Sequence, residues 1–173
     1  IQDLIVLKPR VFTDDRGYFY ESYNKKVLED AGIVADLIQD NQSLSQKGVL
    51  RGLHFQVTPH ALGKLVRIVQ GSALDVAVDL RKDSPTYGQH HKVILTAENK
   101  TMFWVPEGFA HGFLTLEDDT LFVYKQTDYW FKDLEQSIAW DDENLAINWN
   151  LDEEPNLSVK DKVGISFNNA KVF

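Results

Sequence analysis

Residues 63–80, GKLVRIVQGSALDVAVDL, carry the clearest fold signal in the chain. Two runs rich in β-branched residues flank the turn signal Gly71-Ser72, a pattern typical of consecutive β-strands. If this turn closes a β-hairpin, strand alternation puts Lys64 on the same face as Asp75. The stretch therefore predicts two strands and a face on which a lysine meets a carboxylate.

Similar short runs continue on both sides of this stretch and leave little room for helices. Their regular spacing between turn signals favours an all-β sandwich or barrel. The predicted strands are 49–56, 64–70, 73–80, 91–97, 101–106, 111–116 and 120–127. One helix is predicted at 24–31, with Asn24 as its N-cap and Gly32 at its end. The tail from Tyr129 onward is apolar and aromatic enough to pack against the strands.

The composition is that of a globular chain without membrane or disulfide features. Of its 173 residues, 43% are hydrophobic and 25% are charged, which suits one domain over 1–173 with a substantial core. No apolar run approaches the roughly 20 residues that span a bilayer, and no signal peptide is recognisable, so we expect a cytoplasmic location. The net charge of −8 argues against nucleic acid as a partner, and the lack of cysteine excludes disulfides and thiol chemistry.

The strand predicted at 49–56 contains an arginine and a histidine that a buried strand does not need. In its sequence VLRGLHFQ, Arg51 and His54 lie three positions apart, so regular alternation sends them to opposite faces. They can line one cavity only if Gly52 permits a β-bulge or if the arginine reaches around an edge. Taken alone, a strand histidine is more often a hydrogen-bonded structural residue than a catalytic one.

The turn PEGFAH, residues 106–111, leads into another predicted strand. This Pro-x-Gly-x-x-His pattern resembles the second motif of the cupin β-barrels, whose histidine points into the barrel. Many cupins hold a divalent metal with this histidine, a His-x-His pair and a glutamate. No His-x-His pair is present here, and the side chains of His90 and His91 would point to opposite faces. We therefore predict no metal site and interpret His111 as a hydrogen-bonding group inside the barrel.

Six segments together resemble, in the same order, the dTDP-4-dehydrorhamnose 3,5-epimerase family of cupins. They are QDNQS, KGVLRGLHFQ, GKLVRIVQGSALDVAVDLRKDSPTYG, LTAENKTMFWVPEGFAHGF, FVYK and LSVKDK. The resemblance implies a cupin-type double-stranded β-helix, a jelly-roll barrel, with short peripheral helices. It also implies an isomerase without a cofactor. Its substrate would be a dTDP-4-keto-6-deoxyhexose, dTDP-4-dehydro-6-deoxy-D-glucose, inverted at C3 and C5 to give dTDP-4-dehydro-L-rhamnose.

The resemblance assigns the catalytic groups residue by residue. His54 in RGLH falls on the family's base, and Asp161 in the tail falls on the carboxylate that orients this base. Lys64 falls on a lysine suited to stabilising an enolate oxygen, and Tyr124 in FVYK falls on the acid. This set matches the chemistry. Proton removal next to a ketone needs a base and an oxyanion stabiliser, and inversion needs an acid on the opposite face.

The resemblance also implies a set of ligand-binding residues. Arg51 suits bidentate recognition of an oxyanion, and His111 would lie near the sugar. Trp130 takes the place of a tyrosine that stacks on thymine in the family, and its indole keeps a π-face for stacking. The loop HALGKL departs from the family's glutamine-rich loop, and we assign no function to His60. The implied binding residues are Arg16, Glu21, Gln39, Asp40, Asn41, Arg51, His111, Trp130, Glu135 and Lys160.

Family members form dimers, so the resemblance also implies a homodimer. The N-terminal strand within IQDLIVLKPRVF would pack at the interface or cross to the partner subunit and complete its nucleotide pocket. Three alternatives stay open: an epimerase that inverts only C3 or only C5, a non-catalytic cupin that binds a sugar nucleotide, and a metal-dependent cupin enzyme. The same acid and base can serve one carbon or two. The sequence therefore distinguishes poorly between an epimerase that inverts one carbon and one that inverts both.

Overall fold

Two facing β-sheets form the body of the protein in a computed structural model that describes residues 1–173. The strands are β1 (Ile5–Leu7), β2 (Phe12–Asp14), β3 (Gly17–Phe19), β4 (Gln39–Ser45), β5 (Val49–Gln56), β6 (Lys64–Gln70), β7 (Ser72–Asp79), β8 (His90–Thr96), β9 (Met102–Val105), β10 (Phe109–Thr115), β11 (Thr120–Gln126), β12 (Glu135–Ser137) and β13 (Asn156–Leu157). One α-helix, α1 (Lys25–Asp30), and three short 3-10 turns at Lys132–Leu134, Asp161–Val163 and Phe167–Asn169 complete the regular structure. None of the helices has the length and apolar character needed to cross a membrane.

The strand order is that of a jelly roll. The first sheet has the order β1-β9-β6-β11-β4, and the second has the order β12-β5-β10-β7-β8, with β13 added in parallel to β5. Consecutive strands such as β5, β6 and β7 alternate between the two sheets, which is the wrapping of a double-stranded β-helix. The prediction of an all-β, cupin-type jelly roll with short peripheral helices is confirmed.

The local elements also match the sequence. All seven predicted strands are present, and their ends differ from the predicted ends by two residues or fewer. The helix is present as well, because the side chain of Asn24 accepts a hydrogen bond from the backbone N–H of Val27 and caps it.

The hairpin considered at Gly71-Ser72 is wrong. β6 pairs with β9 and β11, whereas β7 pairs with β10 and β8 in the other sheet. The turn therefore carries the chain across the sandwich instead of folding it back within one sheet. A hairpin and a crossing turn need the same residue types, so the sequence could not separate them. Because the inner faces of the two sheets oppose each other, Lys64 and Asp75 still share one interior.

Apolar side chains pack in three layers around and between the sheets. Residues such as Phe103, Phe113 and Phe122 fill the space between the sheets, and a smaller cluster lies under α1 on the outer face of the first sheet. The outer face of the second sheet is covered by the tail, which buries Ile138 and Trp149 against it. Full burial of such a side chain contributes roughly 1.5–3 kcal/mol. The predicted packing of the tail is thus confirmed, and the tail lies fixed behind β5.

Candidate active site

One end of the interior is not filled by apolar side chains and forms a cavity of about 460 Å³. Both sheets contribute to its walls, and only four of the fifteen lining residues are hydrophobic. A cavity of this size with convergent polar groups suits a polar small molecule. The lining residues are Gln39, Asn41, Gln42, Ser43, Arg51, His54, Lys64, His111, Phe113, Phe122, Tyr124, Gln126, Trp130, Glu135 and Lys160.

Arg51 and His54 both line this cavity because β5 departs from regular pleating at Gly52. Between its pairings with β10 at Arg51 and at His54, β5 contains one residue more than its partner strand, which is a β-bulge. Gly52 has a φ of +127°, and a Cβ atom there would lie 2.5 Å from the Cα atom of Gly112. Only glycine fits this position. Of the two possibilities that the sequence left open, a bulge at Gly52 and an arginine that reaches around an edge, the structure shows the bulge.

His54 is held by a carboxylate from the tail. Its Nε2 atom lies 2.5 Å from Oδ1 of Asp161. The backbone N–H of Gly52 donates to the same oxygen over 3.3 Å, and the hydroxyl of Ser158 donates to Oδ2 over 2.6 Å. Burial opposes ionisation of Asp161, but the hydrogen bonds from His54 and Ser158 outweigh it and hold the pKa of the carboxyl below its usual range. Asp161 is therefore a buried, fully hydrogen-bonded carboxylate.

The ionised Asp161 determines the tautomer of His54. An ionised carboxylate can only accept a hydrogen bond, so Nε2 of His54 must carry the proton that it donates to Asp161. In the neutral ring the lone pair is therefore on Nδ1. Burial lowers the pKa of His54 below its usual value; Asp161 opposes this shift, while the charges of Lys160 and Lys64 add to it. His54 is thus neutral at pH 7 and can accept a proton at Nδ1.

Tyr124 reaches the cavity from the opposite sheet. It lies on β11, between Asn41 of β4 and Val66 of β6, whereas His54 lies on β5 of the second sheet. Burial raises the pKa of Tyr124 above its usual value, and the negative charge of Glu135 adds to this effect. The phenol stays protonated at neutral pH and can donate a proton from the side of the cavity that faces His54.

Lys64, at the start of β6, is the third group suited to catalysis. Burial lowers the pKa of its ammonium group to about 8, and the carboxylates of Glu135 and Asp75 keep it from falling further. A group with this pKa is mostly protonated at pH 7. It can therefore place a positive charge next to an oxygen that becomes negative in the cavity.

His111 lies on β10 inside the barrel, as its motif predicts. Its Nε2 atom is 2.9 Å from both carboxylate oxygens of Asp75, and both side chains are buried. The histidine thus has a carboxylate partner on the neighbouring strand β7. No group of three or more histidine, cysteine, aspartate or glutamate side chains in the structure could hold a metal ion.

The remaining wall carries groups that can bind an anion or form hydrogen bonds. The guanidinium of Arg51 donates to the hydroxyl of Ser45 over 3.1 and 3.2 Å. Lys160 Nζ lies 2.7 Å from a carboxylate oxygen of Glu135. Trp130 is half exposed next to this pair. Cations, amides and an exposed aromatic face thus lie around one cavity.

Comparison with known proteins identifies this arrangement. The family model described as dTDP-4-dehydrorhamnose 3,5-epimerase matches residues 1–169. The chain belongs to the dTDP-4-dehydrorhamnose 3,5-epimerase family. A dTDP-4-dehydrorhamnose 3,5-epimerase of Pseudomonas aeruginosa is 51% identical over 174 residues, which cover 100% of this chain and 96% of the relative. The family and the isomerase activity predicted from the sequence are confirmed.

Two solved structures of sugar-nucleotide epimerases have folds similar to that of this chain. An epimerase from Legionella pneumophila, solved with dTDP-4-keto-L-rhamnose, matches with a TM-score of 0.95 and 48% identity, over 99% of this chain and 91% of its own. A 3′-monoepimerase from Streptomyces bikiniensis, solved with dTDP-quinovose, matches with a TM-score of 0.89 and 32% identity, over 95% of this chain and 84% of its own.

Three of the implied binding residues lie outside the cavity of their own chain. Asp40 is on the outer face of β4, where its carboxylate pairs with Lys125 over 2.8 Å. Arg16 is exposed in the β2–β3 hairpin and pairs with Asp14 over 2.6 Å. Glu21 follows that hairpin and accepts a hydrogen bond from Asn24 over 3.1 Å. Of these, pleating alone excludes Asp40, because Gln39 and Asn41 on either side of it point into the cavity.

Several cavity residues were not in the set that the family resemblance implied. Gln126 shares a strand face with Tyr124, so alternation could have found it, and its amide oxygen accepts a hydrogen bond from Asn41 over 3.3 Å. Ser43 follows Gln39 and Asn41 at intervals of two on β4. Phe113 and Phe122 stack at 3.9 Å between ring centroids and form the boundary between the cavity and the apolar core.

Ser158 gives a first testable prediction. Ser158→Ala removes the donor to Oδ2 of Asp161, so we expect the pKa of Asp161 to rise and kcat to fall by about fivefold to tenfold, with little change in KM. Steady-state epimerase kinetics check this. Ser166→Ala is the matched control, because the Ser166 hydroxyl accepts from the backbone N–H of Asn168 and forms no hydrogen bond with His54 or Asp161. An equal loss in both variants would show a general effect on the tail and not a role for Ser158.

Proposed function

We propose that the protein inverts C3 and C5 of dTDP-4-dehydro-6-deoxy-D-glucose and forms dTDP-4-dehydro-L-rhamnose. At each carbon, Nδ1 of His54 takes the proton next to the C4 ketone, and the electron pair moves into an enolate. The ammonium group of Lys64 stabilises the enolate oxygen. Tyr124 then gives its proton to the opposite face of the same carbon, which restores the ketone and inverts that carbon. Before the second carbon reacts, His54 releases its proton to solvent and the Tyr124 phenolate takes one from solvent, so both groups return to their starting states.

The position of His54 and Tyr124 on opposing sheets is the observation that carries this proposal. A sugar ring between the sheets presents one face to a neutral histidine and the other face to a protonated phenol. Removal and return of a proton on the same side would leave the configuration unchanged. The arrangement therefore supports inversion and not simple exchange.

The other cavity residues are suited to hold the rest of the ligand. We propose that Arg51 and Lys160 bind the diphosphate oxyanions, that His111 contacts the sugar, and that Trp130 stacks on the thymine ring. Gln39, Asn41 and Glu135 would orient these groups through hydrogen bonds. No cofactor and no metal take part in the proposed steps, and we propose that the enzyme acts in the cytoplasm.

A homodimer would account for the residues that lie outside the cavity. We propose that β1, at the edge of the first sheet of its own chain, packs at the dimer interface, and that the β2–β3 hairpin and the residues after it reach the partner subunit, so that Arg16 and Glu21 contact the nucleotide in the partner's cavity. Exposed aromatic residues support this, since Phe19 is 66% and Phe12 49% exposed on the hairpin, and apolar surface of this kind marks interaction sites.

The second candidate is an epimerase that acts on one carbon only, as the 3′-monoepimerase with a matching fold does. Incubation with dTDP-4-dehydro-6-deoxy-D-glucose in deuterated water separates the two. We expect deuterium at both C3 and C5 by NMR, because the proton returned by Tyr124 is exchanged with solvent between turnovers. Substrate without protein measures the background exchange. Deuterium at only one of the two carbons would show that the protein is a single-site epimerase and would contradict the proposed inversion of both carbons.

A further inference from the structure

The loop between β5 and β6, which departs from the family pattern at His60, touches the segment that carries Trp130. Nδ1 of His60 lies 2.8 Å from Oδ2 of Asp128. The ring of His60 also stacks on Phe131, with 4.1 Å between centroids and 28° between planes. His60 therefore contacts the chain on both sides of Trp130.

Gln56 adds to this contact from the buried end of β5. Its side chain is 2% exposed. Its amide nitrogen donates to the backbone oxygens of His60 and, over 3.0 Å, of Tyr129, and its amide oxygen accepts from the backbone N–H of Phe131 over 2.7 Å. Asp128 in turn accepts from the backbone N–H of Tyr129 over 2.7 Å. We call Gln56, His60 and Asp128 the clasp, because together they hold the backbone before and after Trp130.

Trp130 itself has few contacts that would fix it. Its side chain is 51% exposed at the cavity. Its backbone N–H donates to Gln39 over a long 3.4 Å, and its indole lies near the carboxylate of Glu135. The direction of the indole ring into the cavity therefore depends on how firmly residues 128–131 are held.

We propose that His60 and Asp128 are positioning residues that hold the Trp130 ring where it stacks on the base of the bound nucleotide. This rests on the proposed function, in which the cavity takes a dTDP-sugar. If the clasp is loosened, only a fraction of molecules present the ring correctly, and the apparent Kd rises by the inverse of that fraction. The proton transfers at His54 and Tyr124 do not involve the clasp, so it acts on nucleotide affinity and not on the chemical step.

The partial exposure of the pair supports a local role. The side chains of His60 and Asp128 are 37% and 29% exposed, and pairs in such positions contribute little to the free energy of unfolding. Loss of the pair should therefore loosen the segment without unfolding the barrel.

A double-mutant cycle with His60→Ala and Trp130→Ala tests the proposal. The readouts are the Kd of dTDP by calorimetry and kcat and KM for epimerisation. We expect Trp130→Ala to raise the Kd by about tenfold and His60→Ala to raise it by about fivefold. KM should rise in parallel, and kcat should stay within about twofold. The double variant should bind dTDP no more weakly than Trp130→Ala alone, because His60 acts through the indole ring.

Three further variants make the result specific. His60→Asn keeps a nitrogen donor near the position of Nδ1 and should recover part of the lost affinity. Asp128→Asn keeps the shape of the side chain without its charge and should weaken dTDP binding in the same direction, which gives a second measure if His60→Ala does not fold. His91→Ala removes an exposed histidine that does not line the cavity and should change nothing.

Several results would overturn the proposal. Unchanged dTDP affinity in both His60→Ala and Asp128→Asn would do so, as would effects of His60→Ala and Trp130→Ala that simply add, or a fall in kcat without a change in Kd. In each of these cases the wild-type protein still binds dTDP and epimerises the sugar, so the proposed function stands. If the wild-type protein does not bind dTDP at all, the proposed function fails and this proposal fails with it.

Discussion

Replacing His54 with alanine is expected to abolish deuterium incorporation at both C3 and C5 and to lower kcat about a thousandfold. The reason is that Nδ1 of His54 is the proposed proton acceptor for both carbons. Burial holds its pKa below the usual value, which keeps it neutral, and Asp161 keeps the lone pair on the nitrogen that can act. Mass spectrometry and NMR of the sugar after incubation in deuterated water measure the loss directly.

The binding of dTDP separates a catalytic role of His54 from a structural one. Because the base acts on the sugar, His54→Ala should retain the Kd of dTDP within about threefold, and His91→Ala should retain full activity. Exchange that persists at one carbon would show that a second base serves that carbon. A non-catalytic cupin would show no exchange in the wild-type protein either, so the same measurement also tests that alternative.

The fold could be predicted from the sequence because its signals are local. Runs of β-branched residues between glycine, proline and aspartate turns specify strands whatever sheet they join. The pairing of the strands was harder to predict from the sequence. The turn at Gly71-Ser72 is an example, because it joins strands of different sheets. Which sheet a strand enters depends on contacts with β9 and β10, far along the chain, and no local residue pattern carries that information.

The residues of the candidate site could be predicted where a family motif contains them. Elsewhere the prediction was incomplete. His54 and Asp161 are 107 residues apart in sequence, and only the resemblance, not spacing or periodicity, could join them. Asp40 shows the opposite case, since the resemblance suggested a ligand contact, whereas the pleat of β4 turns its side chain to the outer face. Placing Arg51 in the cavity depended on the bulge at Gly52, which the sequence left as one of two possibilities and the structure shows.

The role of His60 could not be read from the sequence at all. Its contacts depend on how the β5–β6 loop meets residues 128–131, and this meeting arises only when β5 and β11 lie in opposing sheets. A residue that departs from a family pattern carries no motif, so physical contact is its only signal.

Replacing Lys64 with methionine is expected to lower kcat by about a hundredfold to a thousandfold. Methionine has a similar length and no charge, so the cavity keeps its shape while the enolate oxygen loses its positive partner. The substrate ketone is uncharged before proton removal, and the loss should therefore appear in kcat more than in KM. Steady-state kinetics measure both. Lys26→Met, at an exposed position on α1, is the control and should leave both parameters unchanged.

The pH profile identifies the ionisation of Lys64 itself. Burial lowers its pKa to about 8, so kcat/KM of the wild-type enzyme should fall as the pH rises through about 8, where the ammonium loses its proton. On the acid side, kcat/KM should fall as His54 becomes protonated, below the usual histidine pKa. Arginine stays charged throughout this range, so Lys64→Arg, although less active, should lose the alkaline limb near pH 8. Because burial raises the pKa of Tyr124, deprotonation of the phenol lies further into the alkaline range. An alkaline limb that stays near pH 8 in Lys64→Arg would therefore show that a group other than Lys64 controls it.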